Sequence, residues 1–325
     1  MIDFKNFNNI ISLTTYFNSE RKCKQAIIES RWNDGKVVCP YCGSINCGVR
    51  KDGKFRCNTC KRNFSCLVGT IFENSKLPLI KWFVAMYLIS SHKKGISSHQ
   101  LSRDIDVTQA TAWHMLQKIR LLYPQTDADT FEGTVECDEV YIGGKEKWKH
   151  KSMRTPNTQG RSTKTKTPVF GMMERNTILN AKGEEENITY VHAFVVENTN
   201  KATLHPIIQQ FVIEGSRVIT DELNAYNGLS SLGYNHAIVN HGTAEYAHDD
   251  IFTNSIEGFW SHFRRMITGC YHDVSDKFLQ QYINEAVYRW NTRRMSESDR
   301  FAQMFCMSIG AVCTWKKIRA GLKVA

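Results

Sequence analysis

The sequence predicts an α+β multidomain chain, with a small cysteine-rich module and a helical segment set ahead of a larger α/β domain. Three observations carry that prediction. Two Cys-x-x-Cys pairs fall within residues 39–60, helical periodicity runs from Leu77 to Tyr123, and three strand-like segments follow one another from residue 131. A length of 325 residues leaves room for two or three domains. An apolar share of 42% and a charged share of 23% belong to folded protein rather than to a disordered chain.

Lys and Arg number 42 against 32 Asp and Glu, a net charge of +10. A basic balance of this size points to a polyanionic partner, nucleic acid first, with a merely solvated basic surface as the alternative. No apolar run reaches the roughly 18 residues that a membrane span needs. The opening MIDFKNFNNIISL lacks the layout of a signal peptide, so the expectation is a cytoplasmic protein with no membrane partner. In a reducing compartment, eleven cysteines read as metal ligands, core thiols or catalysts rather than as disulfides.

Residues 1–35 form a helical segment: NSERKCKQAIIESR alternates charge and apolarity at helical spacing, and Trp32-Asn-Asp-Gly35 ends it with turn chemistry. In residues 36–70, Cys39 and Cys42 form one pair and Cys57 and Cys60 a second, with fourteen residues between them. Two-residue spacing turns both thiolates of a knuckle toward one ion, and two knuckles complete a tetrahedral site. The module therefore reads as a zinc ribbon. Four protein ligands leave no position for water, which makes the Zn²⁺ structural. Cys47 and Cys66 lie out of register and are assigned to packing.

Residues 75–125 read as helices. LPLIKWFVAMYLISS, about fifteen residues long, is a core helix rather than a span. ISSHQLSRDI and TQATAWHMLQKIRLL, joined at Asp106-Val107, have the layout of a helix-turn-helix. On the second of these, Ala112, Met115, Leu116 and Ile119 face the core. Thr108, Gln109 and Thr111 face a DNA major groove, and Lys118 and Arg120 meet phosphates. An ordinary helical pair within a bundle is the alternative.

Residues 131–300 change pattern again. TVECDEVYIGG, TPVFGMMERN and ITYVHAFVVEN are three strands; NKATLHPIIQQFVIEG is a helix; RVITDE and HAIVNH are strands; SIEGFWSHFRRMI is a helix. Three strands and then alternating helix and strand is the order of a ribonuclease-H-like α/β fold. It puts Asp138 in the first strand, Asp221 at the end of the fourth and Glu257 in the first turn of the late helix. Carboxylates gathered from separate elements hold hard divalent cations, and two such ions suit phosphodiester chemistry.

On the late helix, Ile256, Phe259, Trp260, Phe263 and Ile267 make a buried stripe, which leaves Glu257, Ser261 and Arg264 on another face. Arg264 is thereby suited to a phosphate contact. Glu136 could replace Asp138 and Glu222 could replace Asp221, while Glu257 could instead favour the positive end of the helix dipole, with Asn254 able to share the site as a neutral oxygen ligand. Between the first two strands, GGKEKWKHKSMRTPNTQGRSTKTKT is basic and poor in apolar residues. It reads as a loop offering Lys145, Lys147 and Lys149 to DNA. Residues 275–295 form a helix whose arginines meet phosphate, and residues 301–325 form a C-terminal helical tail.

The segments RW…VCPYCGS, FRCNTCKRNFS, LPLIKWFVAMYLISSHKKGISSHQLSRD, GTVECDEVYIGGKEK, TDELNAY and TNSIEGFWSHFRRMITGCYHDVSDKFLQQYINEAVYRWNTR resemble bacterial insertion-sequence transposases of the ISXO-two-like group, relatives of the Merlin elements. The resemblance spans nearly the whole chain. It implies a DDE integrase-type catalytic domain that uses Mg²⁺, two ions with Mn²⁺ as a substitute, held by Asp138, Asp221 and Glu257. Asn254 matches the asparagine of the same family block and stands as an alternative third position. Arg264 matches the expected basic residue, whereas Phe252 stands where histidine is expected. The implied partners are double-stranded DNA, as terminal inverted repeats and target, and a second copy of the chain in a homodimer or larger synaptic complex at the bacterial nucleoid. A silent DNA-binding regulator of the same descent and a nuclease without joining activity are the alternative functions.

Overall fold

The computed structural model describes residues 2–123, 125, 130–143, 149–156, 162–179, 182–239, 252–313 and 318. The described residues divide into two compact units, one joining those through Leu122 with those from Arg294 to Ile318, the other running from Tyr123 to Arg293.

The first unit contains α1 (Ile10–Tyr16), α2 (Glu20–Arg31), β1 (Cys47–Val49), β2 (Phe55–Cys57), β3 (Asn63–Phe64), α3 (Leu79–Ser91), α4 (Ser98–Asp104) and α5 (Gln109–Arg120). Its short helices start where a side chain satisfies an orphan backbone N–H. Ser19 accepts from Lys22, Ser97 from Gln100 and Thr108 from Thr111, while Asn9 and Ser12 cap α1 reciprocally. The strands form a small antiparallel sheet in the order β1-β2-β3. Trp32, just past α2, packs edge-on against Phe55 with ring centroids 5.1 Å apart, so the helix end and the ribbon share one core.

Helix α3 is apolar nearly all round, with nine of its residues buried, as befits a central helix. Against it lies a helix from the far end of the chain, Glu297–Gly310, which becomes α9 once the second unit is counted. Phe83 of α3 meets Phe17 at 4.9 Å and Phe305 at 5.2 Å. The expected boundary at residue 301 therefore cuts through a helix. Ser296 accepts from the Asp299 N–H and starts the helix four residues earlier than the sequence pattern suggested.

The second unit contains β4 (Thr134–Ile142), β5 (Thr167–Leu179), β6 (Glu185–Val195), α6 (Lys201–Phe211), β7 (Arg217–Thr220), β8 (Asn235–Ile238), α7 (Asn254–Met266) and α8 (Asp276–Asn291). Its five strands lie in the order β6-β5-β4-β7-β8. Strands β4, β5 and β6 pair antiparallel, while β7 runs parallel to β4 and β8 parallel to β7. One face is covered by α6, whose Leu204, Ile208 and Phe211 pack with Val135 and Cys137 of β4. The other face is covered by α7 and α8, which bury Val140 of β4 together with Ile256, Phe259, Trp260, Phe263 and Ile283. Central β4 is thus buried on both sides, and its side chains alternate between two cores. Among the described residues no helix is long and apolar enough to cross a membrane.

Candidate functional site

The ribbon builds its thiol cluster from two matching knuckles. In the first, the Gly43 N–H donates to the Cys39 carbonyl at 3.0 Å, with Gly43 at φ +72°. In the second, Lys61 occupies the corresponding left-handed position after Cys60, at φ +61°, and the Cys57 N–H donates to Arg62. The sulfurs of Cys39 and Cys60 are 3.7 Å apart and those of Cys42 and Cys57 3.6 Å apart. All four lie within 4.8 Å of one another. The Cys60 N–H points at the Cys57 sulfur from 3.4 Å and, aided by the neighbouring N–H and thiols, lowers that thiol to about 6. Four soft donors at this separation, one readily ionised, fit a structural Zn²⁺. Cys66 is buried and Cys47 lies on β1 opposite Cys57, and neither belongs to the cluster.

The acids of the second unit stand wider apart. Among the described residues, the four thiols are the one group of three or more His, Cys, Asp or Glu with ligand atoms that close to one another. Asp138 nevertheless feels the other acids. Burial first, then the charges of Glu139, Asp221 and Glu257, raise its carboxyl to about 7. Asp221 follows β7 directly and accepts the Leu223 N–H at 3.0 Å, while Glu222 is exposed. Glu257 is exposed in the first turn of α7, with Ser261 and Arg264 exposed one and two turns further on; Asn254 is exposed at the helix start. Mutually repelling oxygens around one half-buried carboxyl fit hard divalent cations, because a cation there relieves the repulsion.

Two neighbours of Asp138 are turned elsewhere. Glu136 is fully buried; its Oε2 accepts the Ile256 N–H at 2.9 Å and its Oε1 lies 3.2 Å from Arg175 Nε. Glu139, on the opposite face of β4, accepts from the buried Tyr226 hydroxyl at 2.7 Å. Phe252, the departure noted in the sequence, lies against the Arg175 guanidinium, 4.1 Å from its ring centroid.

Gly171 sits across from Asp138 in the β4–β5 register. A Cβ there would meet the Trp260 ring at 2.5 Å, so the missing side chain lets α7 lie close on the sheet beside Asp138. Sequence reasoning did not single out Gly171, Arg175 or Tyr226. The only signal available was a glycine inside the otherwise apolar VFGMM.

Helices α4 and α5 are joined through Ile105 and Asp106, the latter at φ +50°. Ala112, Met115, Leu116 and Ile119 are all buried, while Thr108 and Gln109 are exposed and Thr111 half-buried at the start of α5. Lys118 and Arg120 depart from the expectation that they meet phosphates. Both are buried, and Lys118 donates to the Ile71 carbonyl at 3.0 Å, so neither is presented to a phosphate. The arginines of α8 and its end are also occupied: Arg289 is buried against Glu285 at 2.6 Å, and Arg293 donates to the Thr189 carbonyl at 2.9 Å. In the basic loop Lys149 is exposed, whereas Lys145 and Lys147 lie outside the described residues.

A four-thiol ribbon in one unit and an acid-bearing mixed sheet in the other are the parts of a zinc-ribbon transposase. Comparison with known proteins agrees: residues 18–63 match the transposase zinc-ribbon domain and residues 130–291 the ISXO2-like transposase domain. An uncharacterized protein in transposable element ISH50 of Halobacterium salinarum is 30% identical over 281 residues, 82% of this chain and 89% of that one. An uncharacterized transposase-like protein of Haemophilus influenzae is 32% identical over 101 residues, 31% of this chain and 80% of its own length. The chain belongs to the ISXO2-like transposase family.

Proposed function

We propose that this protein is a DDE-type transposase that binds the terminal inverted repeats of its element and carries out metal-dependent DNA cleavage and strand transfer. The observation that carries this reading is the electrostatic convergence of Asp221 and Glu257 on Asp138 within the transposase domain. The sheet order, with three antiparallel strands followed by two parallel to the first, supports a ribonuclease-H-like fold. The α4–α5 pair supports a helix-turn-helix, with Thr108, Gln109 and Thr111 facing the major groove.

In this reading Asp138, Asp221 and Glu257 hold Mg²⁺, two ions with Mn²⁺ as a substitute, and Asn254 is the alternative to Glu257. Bound there, the ions would neutralise charge on the phosphate and make the attacking oxygen a better nucleophile. Arg264, two turns along α7 on the exposed side, contacts a DNA phosphate. Lys149, with Lys145 and Lys147, contributes salt-sensitive contacts of the same kind. The oxygen of a water bonds to phosphorus at the element end as the bond to the 3′ oxygen breaks. The freed 3′-hydroxyl then attacks a target phosphodiester and displaces its 3′ oxygen, so no covalent protein intermediate forms. The protein works as a homodimer or larger synaptic complex in the cytoplasm, at the nucleoid.

The test is strand transfer of end-bearing oligonucleotides with Mg²⁺. Asp138→Ala and Asp221→Ala are expected to lose about 10³-fold or more of the joined product, and product equal to the parent's overturns the assignment. Glu257→Gln should fail likewise. Activity surviving in Glu257→Gln but lost in Asn254→Ala moves the third position to Asn254.

A further inference from the structure

The segment Glu136-Cys137-Asp138-Glu139 places three carboxylates on one strand, and Asp138, between the other two, feels the charges of Glu139, Asp221 and Glu257. Burying a carboxylate costs several kcal/mol unless it is paired and hydrogen-bonded, and apolar residues fill a core equally well. The two flanking acids are nonetheless engaged within the unit, each by a group from an element that carries another acid of the site.

Glu136 reaches α7. Its Oε2 takes the N–H of Ile256, the residue immediately before Glu257, at 2.9 Å. Thr253, at the cap position of α7, makes no side-chain cap of its own, so the strand's carboxylate serves that helix start instead. Arg175, 3.2 Å from Glu136 Oε1, compensates the buried charge, and the ring of Phe252 rests on the guanidinium just ahead of the helix. Glu139 reaches the other element. It accepts from the hydroxyl of Tyr226, a fully buried side chain at the end of the segment Asp221–Tyr226. Within that segment the Asp221 carboxylate already turns the chain back by accepting from the Leu223 N–H.

We propose that Glu136 and Glu139 are positioning residues, Glu136 fixing where Glu257 stands relative to Asp138 and Glu139 fixing the same for Asp221. The inference rests on the reading of Asp138, Asp221 and Glu257 as the cation ligands. One strand thus presents the central ligand and, two residues before it and one after it, ties down the two elements that bring the others. Apolar packing alone lets a helix slide by fractions of an ångström, whereas a hydrogen bond to a backbone N–H next to the ligand does not.

The experiment uses the full chain with its zinc, and Mn²⁺ as the probe. Binding is followed by the loss of the free-ion paramagnetic resonance signal, with metal-free Tm and zinc content measured alongside. Glu136→Ala and Tyr226→Phe are each expected to weaken Mn²⁺ binding about 10-fold or more, with zinc content unchanged. Glu136→Gln keeps an oxygen for the Ile256 N–H and should recover to within about 3-fold of the parent. Tyr226→Phe opens no cavity but takes a hydrogen bond from Glu139, so a Tm lower by a few degrees is expected and affinity is compared at a temperature where both proteins are folded. Parent-like Mn²⁺ affinity in both Glu136→Ala and Tyr226→Phe, with only Tm lowered, overturns the proposal and reduces the two acids to packing. Asp138→Asn separates the two readings. If it binds Mn²⁺ as the parent does, the ligand assignment has failed; if it does not while both Glu136→Ala and Tyr226→Phe do, the positioning inference alone has failed.

Discussion

The four thiols of the ribbon come from residues 39–60 and stand within 4.8 Å of one another, whereas the three acids come from β4, the end of β7 and α7 and repel across a wider space. The first set is closed by local turns: two knuckles, each with a left-handed residue after its second cysteine, bring the sulfurs together whatever the rest of the chain does. The second set is assembled by the tertiary fold and stores like charge around Asp138. A structural site can afford to be complete in itself, whereas a site for chemistry must leave room for substrate and keep its donors in tension.

That contrast can be broken at its local end first. Chelating the zinc, or replacing Cys57 with serine, should unfold the ribbon, because zinc binding in such modules is worth about 10–16 kcal/mol and is largely the folding energy itself. Limited proteolysis should then cut within residues 36–66 while the 130–291 region stays protected. Protection of the ribbon without zinc contradicts this. Next in size is Gly171→Val. Its side chain would enter the space held by the Trp260 ring, 2.5 Å from the glycine's own Cβ position. A loss of about 3 kcal/mol in the second unit is expected, read as a lower denaturant midpoint.

The smallest effect tests the stored charge. Asp138 titrates at about 7 in the folded chain and near 3.8 when unfolded, so between those values the folded state holds the extra proton. Stability of the metal-free protein should therefore fall as pH rises from 4 to 7. Asp138→Asn, which cannot ionise, should be more stable than the parent at pH 8 without divalent cations by about 2 kcal/mol, half of the roughly 4 that the full shift corresponds to, water and relaxation around the charge taking up the rest. Added Mg²⁺ should narrow the gap by stabilising only the parent. A metal-free parent as stable as Asp138→Asn at pH 8 would show that no charge is stored there.

Much of this was legible in the residues. The stripe Ile256, Phe259, Trp260 and Phe263 on α7 and the set Ala112, Met115, Leu116 and Ile119 on α5 are all buried, because helical period and core face agree. The Cys pairs were legible for the same local reason. Lys118 and Arg120 were not, since what buries Lys118 is the Ile71 carbonyl, far away in sequence, which offers its ammonium an acceptor. Glu136 and Asp138 share a strand face, and periodicity assigns both to it without saying which one meets the helix start. The landing point of α7 decides that, and it depends on a glycine on the neighbouring strand.

The return of α9 to the first unit has a consequence for how the protein is made. Phe301 and Phe305 complete the aromatic core around Phe7 and Phe83, so the second unit is an insertion between two parts of one core. On the ribosome, the amino-terminal unit waits, with that core open, until every residue of the insertion has emerged. A chain that stops anywhere between residues 123 and 296 lacks Phe301 and Phe305, and its first core is expected to stay open.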